Sequence, residues 1–152
     1  MIKIGSKVPK LSGTTADGAL KLAESQGKWT VLYFYPKDNT TGCTREARDF
    51  SELHPKFRRR GARVIGVSRD SEKSHAGFAE KYSLPFPLIA DTDEKWCRAF
   101  DVIREKTLYG RKFMGVVRST FLIDPDGKLV KEWRGVKVPG HAQAVLDSIP
   151  AK

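Results

Sequence analysis

A chain of 152 residues that is 39% hydrophobic and 30% charged has the length and composition of one globular domain, able to bury a core without disulfides or metals to staple it. No apolar run approaches the length of a membrane span, and two cysteines are too few for a disulfide scaffold or a zinc cluster. The formal charge of +10 raises nucleic acid or an acidic membrane surface as a partner. Its densest run, Arg58 to Arg60, stands just before Gly61, where cations suit a helix C-terminus, and no aromatic residues interleave it. The charge is therefore read as solubility, with no specific nucleic-acid site and no membrane partner.

The opening MIKIGSKVPKLSG lacks an apolar segment followed by small residues, so it does not read as a secretory signal, and a cytoplasmic location is expected. The stretch to Leu22 is expected to add a strand or hairpin. Trp29 to Tyr35 is a continuous β-branched and aromatic run, the pattern of a strand covered on both faces, and it stops at Pro36. After the polar loop KDNTTG, Ala47, Phe50, Leu53 and Phe57 recur at steps of three and four, which predicts a helix starting near Cys43. Arg63 to Val67 reads as the next strand and Ser71 to Tyr82 as the next helix.

Leu88 to Ala90 is a short strand, and a capping box from Asp91 to Glu94 is expected to open a short helix carrying Trp96, Cys97 and Phe100. Val116 to Ile123 and Lys128 to Trp133 flank the turn residues Asp124 to Gly127 and predict a hairpin. A helix from Pro139 to Ile149 closes the chain. The order β-α-β-α followed by β-β-α predicts an α/β thioredoxin fold with an N-terminal strand or hairpin extension, its central mixed sheet flanked by helices in a single domain.

Cys43 falls after a strand and a loop, in the first turn of a helix, where free backbone N–H groups and the positive end of the dipole favour a thiolate. Arg45 and Arg48 add to that tendency. No cysteine stands two residues away, as thioredoxin-type exchange normally uses, and His54, about 16 Å along the same helix, is out of reach as a base. His75 and His141 carry no triad signature and are expected at the surface. Peroxide reduction needs fewer parts: a thiolate, and donors that stabilise charge on the departing oxygen. Thr40 supplies a hydroxyl in the same loop, and Gly42 permits close approach. In an alternating strand Val116, Arg118, Thr120 and Leu122 share a face, so Arg118 is a charge that requires a partner.

Pro36, Thr40 and Cys43 form PxxxTxxC, and YFYPKDNTTGCTREARDF resembles the active-site loop and helix of peroxiredoxins, in the bacterioferritin comigratory protein or peroxiredoxin Q branch. GVVRSTFLIDPDGKL is similar to the strand that delivers that family's catalytic arginine, and DEKWCRAFDV and YGRKFMG also look like family segments. The resemblance implies a thiol-dependent peroxidase acting on hydrogen peroxide and organic hydroperoxides, with no cofactor and no metal. It makes Cys43 the peroxidatic cysteine that becomes a sulfenic acid. Thr40 bonds the peroxide and thiolate, Pro36 shields the site, Arg118 orients and activates both, and Glu46 helps fix the arginine. Thr41 departs from a proline frequent in relatives. The two positions where relatives carry a resolving cysteine hold Arg48 and Ala79.

Cys97, beside Trp96 and three residues before Phe100, reads as a small buried hydrophobe. A one-cysteine mechanism is therefore expected, with thioredoxin, glutaredoxin or a small thiol as external reductant and the protein a monomer. The alternatives are a two-cysteine peroxidase with Cys97 resolving, a thiol-disulfide oxidoreductase using Cys43 and Cys97, and a binding protein without chemistry.

Overall fold

The computed structural model describes residues 2–25 and 27–151. Its centre is a five-stranded mixed sheet of β3 (Trp29–Phe34), β4 (Ala62–Ser68), β5 (Leu88–Ala90), β8 (Ser119–Ile123) and β9 (Leu129–Arg134), in the order β5-β4-β3-β8-β9. β3 runs parallel to β4 and antiparallel to β8. Being central and covered on both sides, it is apolar at nearly every position, as its sequence predicts. Val31 and Tyr33 enter one hydrophobic cluster, while Leu32 and Phe34 enter the other.

The first cluster is closed by helices: Phe50 and Phe57 from α1 (Thr41–Arg59), Phe78 from α2 (Glu72–Tyr82), and Val145 and Leu146 from α4 (His141–Asp147). The second takes Trp96 and Cys97 from α3 (Lys95–Ala99), with Phe100, Val102 and Val116. The N-terminal extension is a hairpin of β1 (Ser12–Thr15) and β2 (Gly18–Lys21). No described helix is long and apolar enough to cross a membrane.

Three local expectations are corrected. Val116 to Ile123 is not one strand: β6 (Ile103–Leu108) and β7 (Arg111–Val116) form a separate hairpin, and the chain breaks at Val117 and Arg118 before β8. Tyr109 and Gly110 both take positive φ at its turn, a demand that a tyrosine does not advertise. The break places Val116 in the second cluster and Leu122 in the first, so these two do not share a face. The capping box is also absent, since Glu94 pairs with Arg69 and Arg98, while the Asp91 carboxylate accepts the Trp96 and Cys97 N–H groups at 3.0 and 2.8 Å. Finally, His75 and His141 are buried.

Candidate active site

β3 hands the chain to the site loop at Tyr35, whose N–H still bonds Val67 O at 3.0 Å. Half-buried Pro36 cannot extend the ladder, and the loop turns at Asn39, a residue tolerant of its left-handed φ of 62°. Thr40 then takes extended geometry as the N-cap of α1, and its carbonyl accepts the Thr44 N–H at 2.9 Å. Cys43 is the third residue of this helix, among backbone donors that have no intrahelical acceptor. It is 2% exposed, at the edge of the first cluster.

Arg118 reaches the cysteine from the break between β7 and β8. Its Nη2 donates to Cys43 Sγ at 3.3 Å and its Nη1 to Glu46 Oε1 at 2.7 Å. Helical spacing puts Cys43 and Glu46 on one face, so a single guanidinium spans both. A Cβ at residue 42 would lie 3.3 Å from Arg118 Nη2, which gives Gly42 a steric role in seating the arginine. Glu46 is 1% exposed and its Oε2 has no hydrogen-bond partner among the described residues. Burial pushes its carboxyl up to about 7, although Arg118 pulls the other way.

The Thr40 hydroxyl donates to Lys37 O at 2.9 Å at the exposed rim, and no hydrogen bond joins it to Cys43 among the described residues. The structure thus brings Cys43, Arg118 and Glu46 into contact and leaves Thr40 and Pro36 on the adjoining loop. Among the described residues no histidine hydrogen-bonds the thiol. His54 lies against Phe86, and His141 Nε2 pairs with Thr120 Oγ1 at 2.8 Å. Burial, with Arg118 adding to it, pushes His141 down to about 4.

Cys97 occupies the opposite face of the sheet. It is fully buried among Trp96, Phe100 and Val102. Burial, and after it the Asp91 carboxylate, push its thiol well above the ordinary range.

Sequence reasoning passed over two features beside the site. Lys106 bonds Val116 O at 2.5 Å from a hairpin that was not predicted. Asp38, inside the loop itself, is buried against His75; its acidic side chain in a polar loop gave no signal of that. Asp38, Asp70 and His75 have ligand-type atoms within 4.8 Å of one another. Those atoms already hold Tyr35, Ser74, Ser68 and the Ile89 carbonyl, so the group is a hydrogen-bond network and not an open metal seat.

A cysteine at a helix start thus lies under a guanidinium on a thioredoxin-type sheet, and the relatives of this chain place it in the class of thiol-dependent peroxidases. The chain belongs to the AhpC/TSA family, whose model matches residues 4–132. It is 56% identical over 125 residues to the peroxiredoxin Bcp of Xanthomonas campestris pv. campestris, covering 82% of this chain and 78% of that one. It is 48% identical to the peroxiredoxin Bcp of Bacillus subtilis, covering 97% and 95%. A solved structure of Xanthomonas campestris peroxiredoxin Q superposes with TM-score 0.90 at 48% identity over 98% of this chain and 95% of that chain. Another, at TM-score 0.90 and 47% identity over 98% and 96%, comes from work on alkyl peroxide reduction by the Xanthomonas bacterioferritin comigratory protein.

Proposed function

We propose that Cys43 is the peroxidatic residue and that the enzyme works with one cysteine. The Cys43 thiolate attacks one peroxide oxygen, an S–O bond forms as the O–O bond breaks, and sulfur gives up two electrons. The other oxygen leaves with the bonding pair and takes a proton as water or an alcohol. Arg118 Nη2, already 3.3 Å from Sγ, is aimed at the charge that develops along this axis, and Glu46 holds the guanidinium so that little reorganisation is needed. Thr40 and Pro36 line the approach as loop residues, one offering a hydroxyl and the other excluding water. Hydrogen peroxide is the simplest substrate for this step, and likeness to the Xanthomonas protein studied for alkyl peroxide reduction supports organic hydroperoxides as well.

The resulting sulfenic acid is reduced by an external thiol: attack at Sγ releases water and leaves a mixed disulfide, and a second thiol then frees Cys43. Thioredoxin, glutaredoxin or a small thiol supplies these equivalents to a monomer in the cytoplasm. The observation that carries the one-cysteine reading is the membership of Cys43 and Cys97 in clusters on opposite faces of the sheet. A disulfide requires Cα atoms within about 7 Å, and sheet and packed side chains stand between. The test is mass spectrometry after one equivalent of peroxide without added thiol. A Cys43 sulfenic acid, trapped by dimedone with Cys97 free, is expected; a quantitative Cys43 to Cys97 disulfide overturns the one-cysteine reading.

A further inference from the structure

The loop that carries Pro36 and Thr40 is tied to the body of the protein through the Asp38 carboxylate. Tyr35 Oη donates to Asp38 Oδ1 at 2.6 Å, and Ser74 Oγ donates to Oδ2 at 2.7 Å. His75 Nδ1 meets the same Oδ2 at 2.8 Å, and its Nε2 lies 2.9 Å from the Ile89 carbonyl. Both ring nitrogens thus stand within hydrogen-bond distance of an acceptor, a carboxylate on one side and a carbonyl on the other. The backbone is held too, since the Asp38 N–H donates to Asp70 Oδ2 at 2.9 Å, and that oxygen also accepts Ser68 Oγ at 2.6 Å.

His75 is 1% exposed and Asp38 5% exposed. Polar groups so deeply placed are tolerated only with their hydrogen-bonding sites filled, which is the arrangement found. Burial raises the Asp38 carboxyl, but hydrogen bonds from His75 and Tyr35 outweigh it and hold the group below its usual range. A purely structural anchor has no need to sit at this position. Asp38 lies two residues from both Pro36 and Thr40, next to the left-handed turn at Asn39, so its placement sets the direction in which the chain enters α1.

We propose that the buried, hydrogen-bonded Asp38–His75 pair is a positioning device for the peroxidase reaction, holding the Pro36–Thr40 loop and the first turn of α1 in register with Arg118. Neither residue touches peroxide or Cys43. They act through the loop, and the inference rests on the assignment of Cys43 as the reacting group.

The experiment compares two reactions of Cys43 by stopped flow in the same preparations: oxidation by hydrogen peroxide, and alkylation by iodoacetamide, which uses the thiolate without the peroxide-binding loop. Asp38→Ala and His75→Leu are expected to slow peroxide oxidation by about tenfold or more, the scale of a displaced reacting geometry, and to spare alkylation. Asp38→Asn keeps the shape and can still hydrogen-bond His75, and is expected to recover most of the rate. Tyr35→Phe and Ser74→Ala each delete one bond to Asp38 without disturbing packing, and carry the test if the larger changes prevent folding; each is expected to show a smaller loss confined to peroxide. The proposal is overturned if the folded variants react with peroxide at the wild-type rate, or if both reactions fall together. Failure of the underlying assignment looks different: wild-type protein would then show no oxidation of Cys43 by peroxide at all.

Discussion

The two faces of the central sheet each bury one cysteine, and they treat it in opposite ways. On the helical face, Cys43 stands at the start of a helix with an arginine against its sulfur and a carboxylate behind that arginine. On the other face, Cys97 is enclosed by Trp96, Phe100 and Val102, and the nearest carboxylate, on Asp91, is occupied by backbone N–H groups. Both thiols are nearly inaccessible, so exposure does not separate them. What separates them is the surrounding charge: a guanidinium and helix-end N–H groups stand beside one sulfur, while apolar walls and an acid oppose ionisation of the other.

The sharpest way to break this contrast is to exchange the reactive sulfur. Cys43→Ser is expected to abolish peroxide consumption, measured by the loss of hydrogen peroxide with a thiol reductant in excess. Substantial residual turnover would move the chemistry to Cys97 and dissolve the distinction between the faces.

The next largest effect tests the charge. Arg118→Ala is expected to lower the second-order rate of Cys43 oxidation on the order of 10² to 10³, the cost of deleting one aimed donor, while thermal unfolding shows the fold retained. A folded variant within a few-fold of wild type reassigns Arg118 to Glu46 alone.

Cys97→Ala addresses the opposite face. It removes one buried atom from a packed cluster, so a stability loss of about 1 kcal/mol is expected in denaturant titration, with peroxidase turnover on a small-thiol reductant unchanged. Collapse of turnover in this variant makes Cys97 a resolving residue.

The smallest effect is a slope. Glu46 is pushed from an ordinary 4.5 up to about 7 by burial, so across that window the native protein holds a proton that the unfolded chain has released. Its contribution is therefore complete below the lower value and lost as pH rises through the upper one. His141, depressed from 6.5 to about 4, contributes with the opposite sign, and its stability is lost as pH falls through that window. Glu46→Gln deletes the first slope and leaves the second, so stability is expected to climb more steeply between about pH 4.5 and 6.5 than in wild type. Parallel pH–stability curves for the two proteins would contradict the raised Glu46 value.

Much of this molecule was legible in the chain because local rules decide it. The apolar run of β3, the stepped apolar face of α1, the turn from Asp124 to Gly127 and the helix-start position of Cys43 follow from periodicity, turn chemistry and the dipole. So did the thioredoxin-type order of elements and the kinship carried by PxxxTxxC. Those rules fail where partners come from far along the chain. Glu46 meets Arg118 across 72 positions, and Asp38 meets His75 across 37. No spacing pattern announces either pair, and His75, read alone, looked like a surface histidine. The register of Arg118 was misjudged for the same reason: alternation from Val116 presumes an unbroken strand, and only the pairing of β7 with β6 shows that the chain changes sheets there. The separation of the two cysteines likewise belongs to the fold, since it depends on which face of one sheet each helix covers, a decision made by the packing of all the strands together.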